Sequence, residues 1–290
     1  MNGDLQPFVA ACGLAIGLCA CHVAPDTVAS FSGGSGTGGA GTGGSGGSTT
    51  SDAGSVCTGH LGIDAGTDAG LSQGLVAYYS CDQATGATLP DLSGNNNNAT
   101  LVTGTGGTGG YSFATGRVGN ALVLTAANSG YAALPAGILA NACEATIAAW
   151  VNIKTQVNYQ RVWDFGWDTT VYMYLTISDA IKMPRFGISV AGNGSHEPGI
   201  DGQPALPVGE WHHLAVVLAP STVVLYVDGQ TAGTDASITL RPADLGSTPN
   251  NYIGRSQFSA DAYLDGAIDE FRVYNRALSP REIQTLASGS

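Results

Sequence analysis

From Gly74 to Arg255 the chain is a series of short runs rich in Val, Ile, Leu, Tyr and Phe, each closed by Gly, Asn, Asp or Pro. The runs are Leu75–Tyr79, Ala99–Val102, Ala121–Leu124, Tyr131–Leu134, Ala145–Ile153, Arg161–Phe165, Val171–Ile177, Arg185–Val190, His212–Ala219, Val223–Val227 and Asn251–Arg255. Asp228-Gly229 sits where a tight hairpin turn needs φ > 0. Ala145–Ile153 is almost continuously apolar, so it should be a strand buried on both faces. About a dozen strands at this spacing, with hardly any helical pattern before Ser279, call for an antiparallel β-sandwich or barrel. No period of 20 to 50 residues recurs, which argues against a propeller or solenoid.

The C-terminal stretch has the most detailed local code. Asp265-Gly266 reads as a turn pair, and Ile268, Phe271, Val273 and Tyr274 as a strand whose alternation falters at Asp269-Glu270, as at a bulge or in a strand apolar on both faces. Ser279 stands at a helix N-cap, with Pro280 at the first helical position and Glu282 at the third, a capping box. Leu278 and Ile283 are spaced to form a hydrophobic staple over that helix start.

Charge restricts the partners. Ten Lys and Arg against 22 Asp and Glu give a net charge of -12. Neutralising nucleic-acid phosphates or gripping anionic lipid needs cations, so no nucleic acid is expected as a partner. Only 11 % of residues are charged, among 43 Gly, which suits an exported protein. Cys12, Cys19 and Cys21 lie in the N-terminal apolar run, and Cys57, Cys81 and Cys143 beyond it. No C-x-x-C pair or zinc-spaced His cluster occurs. In an exported chain Cys81 and Cys143 are expected as a disulfide pair with Cys57 left over; the alternative is three separate thiols.

Phe8–Ala20 has the length of a signal-peptide core and is too short to span a bilayer. Leu18-Cys19-Ala20-Cys21 resembles a bacterial lipobox, which implies cleavage before Cys21 and acylation of its thiol. The alternative is an ordinary secretory signal. Ser32–Ser55 is almost wholly Gly, Ser, Thr and Ala, a composition that cannot bury enough apolar surface to offset ordering. The expected organisation is a signal and lipobox over 1–21, a disordered Gly/Ser linker over 22–72 and one β domain over 73–290. A coil of about fifty residues reaches roughly 40 Å. Dinucleotide and nucleophile-elbow patterns inside the linker neither follow a strand nor open a helix, so they carry no chemistry.

Six motifs then occur in order: Asp91-Leu92-Ser93-Gly94-Asn95, Gly116-Arg117-Val118-Gly119-Asn120-Ala121-Leu122, Ala145–Val151, Gly209-Glu210-Trp211-His212-His213-Leu214-Ala215, Leu225–Gly229 and Ile268–Ser279. Together they resemble a laminin-G-like domain of the concanavalin A-like lectin/glucanase superfamily, over roughly residues 74 to 288. The resemblance implies an all-β, antiparallel jelly-roll sandwich of two curved sheets, with the short C-terminal helix added. It also implies a possible structural Ca²⁺ held by an Asp of the last strand, here Asp269, with the Ser80–Asp82 region (Asp82) and Gly119.

Glucanases of this superfamily carry E-x-D-x-x-E, and no pair among the five Glu has that spacing. The expectation is therefore a non-catalytic binding module whose partner is a polysaccharide or glycan, with a surface protein as the alternative. Sugars are gripped by aromatic faces and by amide or carboxylate side chains. The candidates on that chemistry are Trp167 at a loop tip, Asp168, Tyr172, His196, Asn251 and Arg255. Tyr172 and Tyr174 share one strand face; the alternative reading places both in the sandwich core. The location expected is the cell surface or outer membrane through a lipid anchor, or the secreted fraction.

Overall fold

The computed structural model describes Cys57 and residues 70–82, 86–104, 107–192 and 197–289. The chain divides into Met1–Thr50 and Ser51–Ser290, and all of these residues belong to the second unit. The signal segment, Cys21 and nearly all of the linker lie outside the described residues.

In chain order the strands are β1 (Leu75–Tyr79), β2 (Thr88–Leu89), β3 (Ala99–Val102), β4 (Tyr111–Thr115), β5 (Asn120–Leu124), β6 (Tyr131–Leu134), β7 (Ala145–Ile153) and β8 (Arg161–Gly166). They continue as β9 (Tyr172–Thr176), β10 (Arg185–Ser189), β11 (Gly199–Asp201), β12 (Trp211–Leu218), β13 (Val223–Val227), β14 (Gln230–Asp235), β15 (Asn250–Ile253) and β16 (Gly266–Tyr274). Helix α1 (Pro280–Ala287) closes the chain. Two eight-stranded sheets result, each wholly antiparallel. The first runs β14-β13-β12-β7-β16-β5-β4 with β1 also on β16, and the second β11-β10-β9-β8-β15-β6-β3-β2. The expected all-β sandwich is what forms.

Between the sheets lies one apolar core that includes Ile147, Val151, Trp163, Phe165, Met173, Leu175, Phe186, Val216 and Phe271. The other face of the first sheet has a smaller cluster of its own, in which Ala148, Ala215, Val217 and Tyr274 pack with Leu278, Ile283 and Leu286. That second layer explains the unbroken apolar run of β7: one face meets the opposite sheet and the other meets α1 and its flanks. The helix start is built as the sequence predicts. Ser279 Oγ accepts from Glu282 N at 3.2 Å, and Ser279 N donates to Glu282 Oε2 at 2.8 Å. Leu278 and Ile283 are both buried in the cluster beneath it.

The bulge is also where the pattern falters, with the β16 register on β7 shifting between Asp269 and Arg272 and Glu270 at φ 53°. Asp228 and Gly229 take φ 50° and 75°, as a hairpin turn requires. Two expectations are corrected. Asp265-Gly266 is not a hairpin turn; Gly266 opens β16 with ordinary φ, and its lack of a side chain is needed because a Cβ would collide with the Asn152 carbonyl. The disulfide joins Cys57, not Cys81, to Cys143. The physical reason is burial: Cys81, two residues past the end of β1 and at φ 62°, lies in the inter-sheet core with Ala77 and Tyr79, so it is a buried free thiol.

Because α1 covers an otherwise unpartnered sheet face, Ile283→Ala should lower unfolding free energy by about 2–4 kcal/mol in urea titrations. Gln284→Ala, on the exposed side of the same helix, should stay within about 0.5 kcal/mol of the parent.

Candidate functional site

The outward face of the second sheet carries the chemistry. On β9, Met173 and Leu175 enter the core, so Tyr172 and Tyr174 stand on the opposite face. Register carries that face across the sheet. Tyr174 lies opposite Gly187 of β10 and Asp164 of β8, and Asp164 lies opposite Tyr252 of β15. Over this row opens a cavity of about 300 Å³ lined by Tyr159, Arg161, Tyr172, Tyr174, Asp179, Arg185, Glu197, Phe258 and Asp261.

Glu197 organises it. The Tyr172 and Tyr174 hydroxyls each donate to one of its carboxylate oxygens, at 2.7 Å and 2.7 Å. Arg185 approaches the same carboxylate at 3.6 Å while bonding Asp201 at 2.6 Å. The carboxylate fits because Gly187 lies beneath it; a Cβ there would strike Glu197 Oε1 and the Tyr174 ring. Phe258 meets Tyr172 edge-on, with ring centroids 5.4 Å apart.

Arg161 forms the floor. Its guanidinium stacks 3.8 Å from the Tyr174 ring centre and pairs with Asp164 at 3.3 Å and Asp261 at 3.1 Å. Asp164 is fully buried; desolvation pushes its carboxyl up to about 6, against the opposing pull of Arg161 and the Gln257 amide. Burial raises the Tyr172 and Tyr174 hydroxyls well above the ordinary tyrosine value, and hydrogen bonds to Glu197 add to the rise.

The sequence-derived candidates separate in space. Tyr172 lines the cavity, on the outer face and not in the inter-sheet core. Trp167 is 49 % exposed at a loop tip, as expected, but its indole N–H donates to the Leu245 carbonyl and it does not line the cavity. Asp168 is exposed and caps its own turn, accepting from the Thr170 and Val171 amides. Asn251 is buried and spent on structure: it donates to the Pro135 and Thr248 carbonyls and accepts from the Thr248 hydroxyl. Its amide is thereby engaged within the protein, and it does not line the cavity. Arg255 stays on the face, bonded to the Tyr131 hydroxyl at 2.9 Å. His196 lies outside the described residues. Sequence reasoning missed Arg161, Arg185, Asp179, Asp261 and Tyr159; Glu197 was visible only as a neighbour of His196. Strand alternation points to the Tyr172–Tyr174 face, but nothing local says that Glu197 and Asp261 come to meet it.

The residues suggested for Ca²⁺ gather at one loop. Asp269 Oδ2 accepts the Arg117 and Val118 amides at 2.8 Å and 2.9 Å, and Asp82 Oδ1 accepts the Asn120 amide at 2.8 Å. Gly119 is needed between them, since a Cβ would run into Asp82. Asp269 Oδ1 is buried with no partner, the kind of oxygen a hard cation takes up. Among the described residues no group of three or more His, Cys, Asp or Glu is arranged around a metal position, so backbone carbonyls would have to complete any shell.

Residues 126–284, more than half of the chain, match the laminin-G model of the concanavalin A-like lectin/glucanases superfamily. The chain belongs to that superfamily. No curated protein matches it in sequence. Its fold is similar to domain 4 of AbnA, a GH43 extracellular arabinanase from Geobacillus stearothermophilus solved with arabinotriose (24% identity, TM-score 0.61, 73% of this chain and 98% of that one). It is also similar to the binding domain of Paraclostridial Mosquitocidal Protein 1 (16% identity, TM-score 0.55, 76% of this chain and 53% of that one). A third similar structure is the Trypanosoma rangeli sialidase with the inhibitor DANA (20% identity, TM-score 0.52, 73% of this chain), of which the chain spans 32%. At these identities the likeness shows the fold alone.

The raised pKa of Asp164 predicts a pH dependence. Stability linked to its protonation is fully present below the unfolded value of about 4 and is lost as pH climbs through about 6. Unfolding free energy should fall by an amount on the order of 2 kcal/mol from this group between pH 4 and 7. In Asp164→Asn the decline should be shallower.

Proposed function

We propose that the domain is a non-catalytic binding module, tethered outside the cell, whose outer cavity takes a sugar unit of a glycan. The observation that carries this is the pairing of aromatic walls with converging polar groups. Tyr159 and Phe258, above the buried Tyr172 and Tyr174, supply apolar surface for a sugar ring, and Arg185, Asp179 and Asp261 supply donors and acceptors for its hydroxyls.

The same geometry favours binding over hydrolysis. A glycosidase needs one carboxyl free to donate a proton and a second free to attack or to activate water. Here both Glu197 oxygens are taken by tyrosine hydroxyls, and Asp261 accepts from Arg161 and Ser256. The Cys57–Cys143 disulfide suits an oxidising compartment and so supports export. Lipid attachment at Cys21 belongs to the same proposal and supplies the membrane contact. Structural Ca²⁺ is part of it too, with Asp269 Oδ1 and Asp82 as the side-chain ligands.

A glycan array on the purified chain, with and without EDTA, tests the reading. Tyr159→Ala and Phe258→Ala should each weaken the best ligand about 10-fold or more, with Trp167→Ala near neutral. Silence across the array would move the function to protein adhesion, and release of reducing sugar would make the domain an enzyme. For calcium, added Ca²⁺ should raise the melting temperature of the EDTA-treated protein, and Asp269→Asn should abolish the rise. Identical melting with Ca²⁺ and EDTA would remove the ion from the account.

A further inference from the structure

A second cluster lies beside the cavity on the same face. Arg255 packs its guanidinium over Tyr131 and Tyr252, 4.8 Å and 4.6 Å from their ring centres. Tyr131 meets Tyr252 edge-on at 5.4 Å and Tyr263 at 6.1 Å. All four side chains are partly exposed. Arg255 differs from the other arginines of this face. Arg161 is neutralised by Asp164 and Asp261, and Arg185 by Glu197 and Asp201. Arg255 has no carboxylate within ion-pair distance among the described residues; its one side-chain hydrogen bond goes to the Tyr131 hydroxyl. In a chain carrying 22 Asp and Glu against ten Lys and Arg, an uncompensated guanidinium ringed by aromatics stands out chemically.

The cluster and the cavity are close enough for one ligand. Tyr252 lies opposite Asp164, and Asp164 opposite Tyr174, so two strand spacings of about 4.8 Å separate the two tyrosine rows. Arg255 and Phe258 also belong to one loop and are three residues apart, at most about 11 Å even fully extended. Neighbouring units of an oligosaccharide can span that gap.

We propose that Arg255, with Tyr131, Tyr252 and Tyr263, forms a second subsite that takes an oxyanion-bearing sugar unit, next to the uncharged unit held in the cavity. This rests on the glycan reading given above and deepens it. An arginine fork suits a planar carboxylate or a sulfate, and flanking aromatic rings accept the apolar side of the sugar. The carboxylates lining the cavity, Asp179, Glu197 and Asp261, outnumber its two arginines, Arg161 and Arg185, and disfavour an added negative charge there, so the ligand is a heteroglycan and not a uniformly acidic polymer.

The test is an array on the whole chain that pairs neutral oligosaccharides with their glucuronic-acid-substituted and sulfated counterparts, followed by calorimetry on the best pair. The acidic member should bind about 10-fold or more tightly than the neutral one, the worth of one charge-assisted contact. Arg255→Gln should remove that advantage while leaving neutral binding and melting temperature unchanged, and Arg255→Lys should retain part of it. The uronate and sulfate arms identify the oxyanion. Equal affinity for neutral and acidic members overturns the inference and leaves the glycan reading intact. Joint loss of neutral binding and thermal stability in Arg255→Gln assigns the arginine to structure and also overturns it. If no glycan binds, the glycan reading fails, and NMR titration of free glucuronate against the Arg255 Nε–H signal decides the subsite by itself. A shift that is absent in Arg255→Gln supports it, and no shift overturns it.

Discussion

The pairing of β16 on both of its edges is the constraint on which the sandwich depends. Along one edge it meets β7; along the other it meets β5 through Gly266–Ile268 and then β1 through Phe271–Tyr274. The bulge at Asp269–Glu270 lets one strand serve two partners in succession. It is held by side chains from both sides: Glu270 accepts from Tyr78 of β1 at 2.8 Å and pairs with Arg272, while Asp269 takes two amides from the loop before β5. The start and the end of the domain are thereby fastened to the middle of one sheet.

That closure frees the second sheet to present a face. Its inner side is apolar and packs on the first sheet; its outer side carries tyrosines, arginines and carboxylates tied into one network. Rigidity comes from the hydrogen bonds of Glu197 and the ion pairs of Arg161, which link β8 and β9 to the loops above them. A site held this way meets its ligand with little ordering left to do, which is what a binding surface needs.

How much was legible depended on range. The capping box at Ser279 and Glu282 and the Asp228-Gly229 hairpin are governed by residues a few positions apart, and the structure has them where the sequence placed them. Asp265-Gly266 has turn composition, yet its setting in β16 is decided by a distant carbonyl, that of Asn152. The cysteines show the same division. Cys81 is buried in the core just past the end of β1, but which thiol reaches Cys143 depends on where a segment 86 residues earlier is carried.

The sequence by itself determined an antiparallel β-sandwich or barrel with a capped terminal helix, and it placed Tyr172 and Tyr174 together on one strand face without deciding whether that face lies in the core, because strand period and turn chemistry are local properties. Only the tertiary structure decided that Glu197 and Asp261 close over those tyrosines, that Asn251 is buried, and that Arg255 is left without a counter-charge. Those outcomes depend on loops and strands remote in the chain meeting over one sheet, and no short-range pattern encodes such a meeting.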